Sequence, residues 1–168
     1  KPMAVTFEEC ELMEEAFSKR NIPLFVAYYR RTLPRFEQIK KWLDSNAIGK
    51  VRHVNWSYCE PPHPIRDLSK EYNWRTDSII APGGYFDDLA SHGLDLFAHL
   101  LGDIQEVKGI SLNQQGLYSS KDAITACWLH ENGVTGSGSW NFGCSSNEDR
   151  VEIFGSKGKI EFSIFHSL

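Results

Sequence analysis

The first part of the chain shows a helical pattern followed by a strand-like one. Thr6 and Glu9 have the spacing of a capping box, and the apolar residues after them recur at helical spacing, which predicts a helix over about residues 7–20. The continuous apolar run 24–29 is typical of a strand that is buried on both faces of a parallel sheet. A helix followed by such a strand predicts a unit of an α/β layer.

The pattern changes after this unit. Pro34 and the one-sided apolar residues that follow it predict a second helix over 34–45. Residues 51–58 then alternate between apolar and polar, which predicts a half-buried strand. Its predicted inner face consists of Val54, Trp56 and Tyr58. Residues 59–82 hold four prolines without periodicity, so they predict a long irregular connection of the kind that usually carries function.

The run 83–102 predicts a helix with an ionisable face. At about 100° per residue, Asp88, His92, Asp95 and His99 fall within one narrow sector, opposite a broad apolar arc. A surface helix normally carries Lys and Glu there, whereas these side chains titrate near neutrality, bind metals or move protons. Because Asp88 lies one turn before His92, the two side chains are within reach of each other.

The last third of the chain predicts an antiparallel meander. Its strand-like segments span 107–113, 123–129, 134–142 and 151–163, the last folded on itself at 155–158. Asn132-Gly133 is a strong hairpin signal between the second and third segments. In the third segment, glycines at 136 and 138 indicate close approach of a neighbour or a ligand. The opposite face, Thr135, Ser137, Ser139 and Asn141, is either solvated or a subunit interface.

Composition limits the class of protein. The 168 residues are enough for one well-buried core with room for a fragment of a second domain. A net charge of -4 without basic clusters predicts no nucleic acid partner. Four scattered cysteines lack zinc-site or disulfide spacing, which predicts reduced thiols and a cytoplasmic protein. No apolar run approaches the roughly 20 residues of a membrane span, so no membrane partner is expected.

Six short motifs stand in a recognisable order along essentially the whole chain. They are Lys1-Pro2, Val26-Ala27-Tyr28-Tyr29-Arg30-Arg31, Ile48-Gly49-Lys50-Val51, Trp74-Arg75, the run 83–95 and Gly155-Ser156-Lys157-Gly158-Lys159-Ile160. Together they resemble the Gfo/Idh/MocA family of nicotinamide-dependent oxidoreductases. The Tyr-Tyr-Arg-Arg and Trp-Arg elements look closest to members that act on anhydro sugars or cyclic dihydrodiols.

The resemblance implies a division of the chain into two parts. Residues 1–29 would be the last helix and strand of a truncated Rossmann domain that binds NAD or NADP. Residues 30–168 would be the C-terminal substrate-binding and oligomerisation domain. The implied fold class is α+β, an open and mainly antiparallel sheet with helices on one face, and the sheet face would join a homo-oligomer. Because the sequence lacks a Gly-x-Gly-x-x-Gly turn, this chain alone is not expected to bind the dinucleotide.

The resemblance also assigns catalytic roles. His92 would be the base that takes the proton of a secondary alcohol, and Asp88 would orient its imidazole and stabilise the cation. The ammonium of Lys1 would stabilise the developing alkoxide, and Lys1 and Pro2 would contact the cofactor. Asp87 is expected to cap the start of the helix in place of Asp88.

Five further residues are candidates for binding the substrate. Tyr29 and Trp74 would stack on a sugar ring, Arg30 and Arg75 would donate to its hydroxyls, and Asp95 would be a buried hydrogen-bonding partner. For Arg30, and for its neighbour Arg31, an ordinary surface ion pair is an open alternative.

The predicted function is the substrate half of an oxidoreductase. The intact protein would transfer hydride between NAD(P) and a sugar, polyol, cyclitol or related cyclic alcohol, with a histidine moving the proton. Two other classes stay open. One is a metal-dependent hydrolase or isomerase with Asp88, His92 and Asp95, with or without His99, as ligands, and the other is a non-catalytic assembly domain joined through the sheet face.

Overall fold

The computed structural model describes residues 2–62 and 73–165. In chain order, its main elements are α1 (Phe7–Ser18), α2 (Pro34–Asp44), β1 (Val51–Cys59), α3 (Tyr85–Leu101), β2 (Ile104–Leu112), β3 (Ala123–His130), β4 (Thr135–Asn141), β5 (Glu148–Gly155) and β6 (Lys159–Phe162). Short 3-10 helices cover Tyr29–Thr32 and Trp74–Thr76. None of the helices within the described ranges is both long enough and apolar enough to cross a lipid bilayer.

The strands form one mixed sheet in the order β2-β3-β4-β1-β5-β6. The antiparallel pairs β2–β3, β3–β4 and β5–β6 confirm most of the predicted meander. The prediction is wrong between β4 and β5, because β1 lies there, parallel to β4 and antiparallel to β5. The alternation of β1 shows that one of its faces is buried, but alternation alone does not tell which strands it pairs with.

The core lies between one face of this sheet and the helices α2 and α3. Trp56 is at its centre and makes edge-to-face contacts with Phe97 of α3 at 5.8 Å and with Trp140 of β4 at 5.3 Å between ring centroids. Gly93 allows α3 to approach this closely, because a Cβ atom there would lie 2.3 Å from the Trp56 ring. The predicted inner face of β1 is confirmed, since Val54, Trp56 and Tyr58 are all buried.

The glycines of β4 are explained by indole rings. A Cβ atom at Gly136 would lie 2.0 Å from the ring of Trp128, and one at Gly138 would lie 2.4 Å from the ring of Trp140. The close neighbour that these glycines predict is therefore a tryptophan of the core. The opposite face of β4 points away from the helices, as the alternation of side chains along the strand predicts. Thr135 and Ser139 are exposed on that face.

The amino-terminal elements lie outside this core. The predicted capping box is confirmed, since Thr6 Oγ1 accepts from the Glu9 N–H at 3.2 Å and the Glu9 carboxylate accepts from the Thr6 N–H at 3.1 Å. However, α1 buries none of its residues. The strand predicted over 24–29 is wrong, because this segment pairs with no strand in the described part of the chain, and Phe25 is 84% exposed.

Candidate active site

Helix α3 starts from a glycine turn that a side chain would not fit. Gly84 at the N-cap has a φ of 64°, and a Cβ atom there would lie 2.6 Å from the carbonyl oxygen of Lys121. Asp87 Oδ2 accepts from the Gly83 N–H at 2.8 Å, and burial raises the pKa of this carboxyl. Asp87 therefore bonds the residue before the N-cap, and the prediction that it caps the free N–H groups of the helix is wrong because α3 has no side-chain cap hydrogen bond. Asp88 bonds elsewhere.

Asp88 is held by an arginine from the preceding connection. Arg75 Nε and Nη2 donate to Asp88 Oδ2 at 2.8 and 2.5 Å. The Arg75 guanidinium also lies over the Trp74 ring, with Cζ 4.3 Å from the ring centroid. The structure thus brings three predicted site residues together and ties the 3-10 helix Trp74–Thr76 to α3. The pairing of Arg75 with Asp88 was not predicted from the sequence.

His92 lies in an enclosure of aromatic rings. It is 6% exposed, and its imidazole meets the ring of Tyr28 at 5.8 Å and those of Tyr29 and Phe165 at 6.1 Å, all edge-on. Burial raises the pKa of Tyr28, whose phenol hydrogen-bonds to Ser91. These rings keep bulk water away from most of the imidazole.

A buried polar anchor holds Phe165 against His92. Arg30 is 8% exposed, and its Nη1 donates to the Ile164 carbonyl at 2.7 Å. The Arg30 Cζ atom lies 4.5 Å from the centroid of the Phe165 ring. Asp149 Oδ2 accepts from the Phe165 N–H at 2.6 Å. Sequence reasoning missed Phe165, and the surface ion pair considered for Arg30 is wrong because its side chain is buried.

Asp95 makes a two-point ion pair one turn beyond the aromatic enclosure. Arg31 Nε donates to Oδ2 at 2.8 Å and Nη2 donates to Oδ1 at 2.5 Å. The alternative left open for Arg31, an ordinary ion pair, is therefore what the structure shows. His99, the last member of the ionisable face, is half-buried, and burial, Arg31 and Lys40 lower its pKa. The ion pair between Arg31 and Asp95 fixes the 3-10 helix Tyr29–Thr32 to α3.

A cavity of about 370 Å³ lies beside the start of α3. Its lining includes Pro2, Trp74 and Asp87, together with the mainly apolar residues Ala4, Val5, Ile80, Ala81 and Pro82. Pro2 is therefore near Trp74, as a shared site requires. The lining does not include His92. Lys1, predicted to act on the substrate and the cofactor, lies outside the described residues.

The geometry does not favour the metal-site interpretation. The carboxylates of Asp88 and Asp95 each bond to a guanidinium group, which competes with any metal ion for the same oxygen atoms. Across residues 2–62 and 73–165, no three His, Cys, Asp or Glu side chains are grouped closely enough to hold a metal ion. The two carboxylates of the ionisable face of α3 are therefore each paired with a different arginine.

Comparison with known proteins identifies the family. The GFO/IDH/MocA C-terminal domain matches this chain over residues 36–161. The chain therefore belongs to the Gfo/Idh/MocA family, and the resemblance seen in the sequence is confirmed. The predicted α+β class, an open sheet with helices on one face, is also confirmed by solved structures of this fold.

Three relatives illustrate the similarity. An oxidoreductase of Formosa agariphila is 36% identical over 167 residues, which are 99% of this chain and 51% of that protein. A levoglucosan dehydrogenase of Pseudarthrobacter phenanthrenivorans is 30% identical over 66% of this chain and 28% of its own length. The solved structure of a levoglucosan dehydrogenase with NADH and L-sorbose has a TM-score of 0.82 and 26% identity, covering 97% of this chain and 47% of the other. The chain thus spans about half the length of the first of these relatives and less than half of the other two.

Proposed function

We propose that this chain is the substrate-binding and oligomerisation part of an NAD(P)-dependent oxidoreductase that acts on a sugar, polyol, cyclitol or related cyclic alcohol. Residues 30–168 would form that domain, and residues 1–29 would belong to the cofactor domain. The exposed apolar side chains of the first part, including Phe7 and Phe25, support this boundary because they need a covering layer. Relatives named levoglucosan dehydrogenase and myo-inositol 2-dehydrogenase support the substrate class.

The observation that carries this proposal is the placement of His92. Oxidation of an alcohol requires a base that accepts the hydroxyl proton while hydride leaves the carbon. His92 lies in an enclosure from which water is largely excluded, and it sits on the same helix as Asp88, to which Arg75 donates two hydrogen bonds. In the opposite direction of the reaction, the protonated imidazole would return the proton to the carbonyl oxygen.

Asp88 and Arg75 would position this base. A carboxylate one turn before His92 stabilises positive charge on the imidazole by simple electrostatic attraction. Arg75 fixes the position of that carboxylate through two hydrogen bonds to Oδ2. Arg75 would therefore act through Asp88, in addition to any contact it makes with a substrate hydroxyl.

Aromatic side chains would provide the sugar-binding surface. Trp74 lines the cavity beside α3, and the Tyr29 ring is about half-exposed next to His92. The faces of such rings suit the apolar C–H face of a sugar or cyclitol. Arg30 would shape this surface indirectly, since its guanidinium already bonds to the Ile164 carbonyl beneath Phe165. Asp95 would hold the Tyr29–Thr32 segment through Arg31.

The dinucleotide would be held mainly by residues that this sequence does not contain. The 168 residues include no glycine-rich phosphate-binding turn, and the cavity offers only Pro2 from the family motif among the described residues. When bound, the nicotinamide supplies the acceptor or donor of the hydride. The residues of this chain would bind the alcohol, orient it and move its proton.

A substrate panel tests the proposed reaction in the intact protein. Reduction of NAD and NADP is followed by absorbance with anhydro sugars, aldoses, inositols and simple polyols as separate substrates. We expect saturable reduction with at least one cyclic alcohol and none with the buffer alone. Failure of every alcohol with both dinucleotides, in a folded protein that binds NAD(H), would favour the assembly-domain interpretation.

The open face of the sheet supports a homo-oligomer. Ile110 and Leu112 of β2 and Phe154 of β5 are exposed large apolar residues on the strands of this sheet. A shallow cavity of about 340 Å³ beside β2 is lined by Ile110, Leu112, Thr125 and Ser139, among others. We expect a second copy of the protein to cover this surface.

A further inference from the structure

Two of the four cysteines come together at one end of the sheet. Cys59 is the last residue of β1, and Cys144 lies in the turn between β4 and β5. Cys59 Sγ donates to the Ser146 carbonyl, two residues after Cys144, at 3.4 Å. Cys10 on α1 and Cys127 on β3 lie on other elements.

Backbone hydrogen bonds hold both cysteines in place. The Glu60 N–H donates to the Asn141 carbonyl at 3.0 Å, and the Cys144 N–H donates back to the Glu60 carbonyl at 3.0 Å. Cys59 itself pairs with Asn141 on β4 and with Glu148 on β5. The strand register and these backbone bonds therefore place Cys144 against the residue that follows Cys59. Both cysteines are partly exposed, so a small oxidant can reach them.

We propose that Cys59 and Cys144 form a site of reversible oxidation, at which a peroxide converts the two thiols into an intramolecular disulfide. One thiol releases its proton and the resulting thiolate attacks an oxygen of hydrogen peroxide. The O–O bond breaks, and the hydroxide that leaves takes up this proton, so that a sulfenic acid and one molecule of water form. The second thiol attacks that sulfur, the S–O bond breaks, and the hydroxyl leaves as a second molecule of water. The peroxide takes up the two electrons that the thiols lose. A dithiol reductant restores both thiols by exchange.

The surroundings of Cys59 govern the rate of this reaction. Burial and the neighbouring Cys144 raise the pKa of Cys59, and the Glu148 carboxylate raises it further, while the hydrogen bond to Ser146 lowers it. The thiol is therefore mostly protonated at neutral pH. Since the thiolate is the nucleophile, we expect disulfide formation to accelerate as the pH rises from 7 to about 9.

The disulfide would join two distant parts of the chain. It would connect the start of the irregular connection after β1 to the β4–β5 turn, which closes a long loop. Closing such a loop restricts the unfolded chain far more than the folded one. We therefore expect the oxidised chain to unfold at a temperature about 5–10 °C higher than the reduced chain.

Peroxide treatment of the folded chain tests the proposal. The reduced protein is exposed to a small molar excess of hydrogen peroxide, the remaining thiols are alkylated, and the product is analysed by intact mass and by peptide mapping. We expect two alkylated cysteines instead of four and one cross-linked peptide pair that joins Cys59 to Cys144. Reduction with dithiothreitol should restore all four thiols and reverse the shift in unfolding temperature.

Single serine variants provide the matched controls. Cys10→Ser and Cys127→Ser should form the disulfide as the unmodified chain does, whereas Cys59→Ser and Cys144→Ser should not form it and should lack the thermal shift. A stable sulfenic or sulfinic acid on the remaining cysteine of the latter two variants would support the proposed order of steps. Cross-links that involve Cys10 or Cys127, or four unreacted thiols under these conditions, would overturn the proposal.

Discussion

At the scale of single residues, the buried imidazole of His130 has a specific partner for each of its two nitrogen atoms. His130 is fully buried, and its Nε2 lies 3.0 Å from Trp128 Nε1 while its Nδ1 lies 2.6 Å from the Gly102 carbonyl oxygen. Because an indole N–H can only donate, Nε2 must accept and Nδ1 must carry the proton. One imidazole thus connects β3 to the carboxyl end of α3 as a neutral tautomer.

Replacing this imidazole should destabilise the domain. His130→Ala leaves the Trp128 N–H and the Gly102 carbonyl without their partner and opens a cavity, so we expect a loss of about 2–4 kcal/mol in the free energy of unfolding. Urea unfolding followed by tryptophan fluorescence measures it. His99→Ala, on a half-buried side chain of α3, should cost less than about 1 kcal/mol. Equal losses in the two variants would contradict the assigned role of His130.

At the scale of elements, the β5–β6 hairpin is held together by a charge network. Glu152 and Glu161 lie directly opposite each other, an arrangement that would be repulsive alone. Arg150 and Lys159 bridge them, with contacts to Glu161 at 3.0 Å from both Arg150 Nε and Lys159 Nζ. These hydrogen bonds lower the pKa of Glu161 from its ordinary value of 4.5 to about 2.

This lowered pKa predicts a dependence of stability on pH. A carboxyl group with a lower pKa in the folded state stabilises the fold above its unfolded pKa, and that contribution disappears as the pH falls from about 4.5 to 2. Glu161→Gln should therefore lower the unfolding temperature at pH 6 and have no effect near pH 2. Calorimetry at several pH values measures the difference. A difference that is unchanged at low pH, or unaffected by 1 M NaCl, would show that it does not come from charge.

At the scale of the whole molecule, the two faces of the sheet differ in what covers them. One face is covered by α2 and α3 and carries the candidate site at the edge of α3. The other face presents exposed polar residues with a few large apolar ones, among them Ile110, which is 69% exposed. This division would place the proposed oligomer contacts and the proposed substrate contacts on opposite sides of the same sheet.

Oligomerisation through the open face can be tested with one charge. In the intact protein, Ile110→Lys places an unpaired ammonium in the centre of the proposed contact, so we expect dissociation to a smaller species. Light scattering coupled to size-exclusion chromatography measures the mass. The control is Trp42→Lys on α2, in the layer on the opposite side of the sheet, which should leave the mass unchanged. An unchanged mass for Ile110→Lys would exclude this surface as the interface.

Much of this architecture could be predicted from local pattern. The helices over 7–18 and 34–44, the faces of β1 and the run of strands after α3 follow from periodicity and caps. The parallel pairing of β1 with β4 could not be predicted, because register depends on contacts distant in sequence. A strand at 24–29 would need adjacent strands to pair with, and the described residues supply none. The apolar run alone was therefore not sufficient evidence for a strand.

The candidate site was predictable only in part. The ionisable face of α3 could be predicted from helical spacing, because all four of its side chains lie on one helix. The partners of that face come from elsewhere: Arg75 for Asp88, Arg31 for Asp95, and Phe165 for His92. Such partners are fixed by tertiary packing, and no short-range signal in the sequence indicates them.

The central claim is that His92 moves the proton of the alcohol in the intact enzyme. The measurement that tests it most directly is kcat/KM for the best alcohol substrate, compared between His92→Asn and the matched variant His99→Asn, about two turns further along the same face of α3. The account predicts a loss of about 10²–10⁴-fold for His92→Asn and less than about threefold for His99→Asn. Retention of full activity by folded His92→Asn would contradict it.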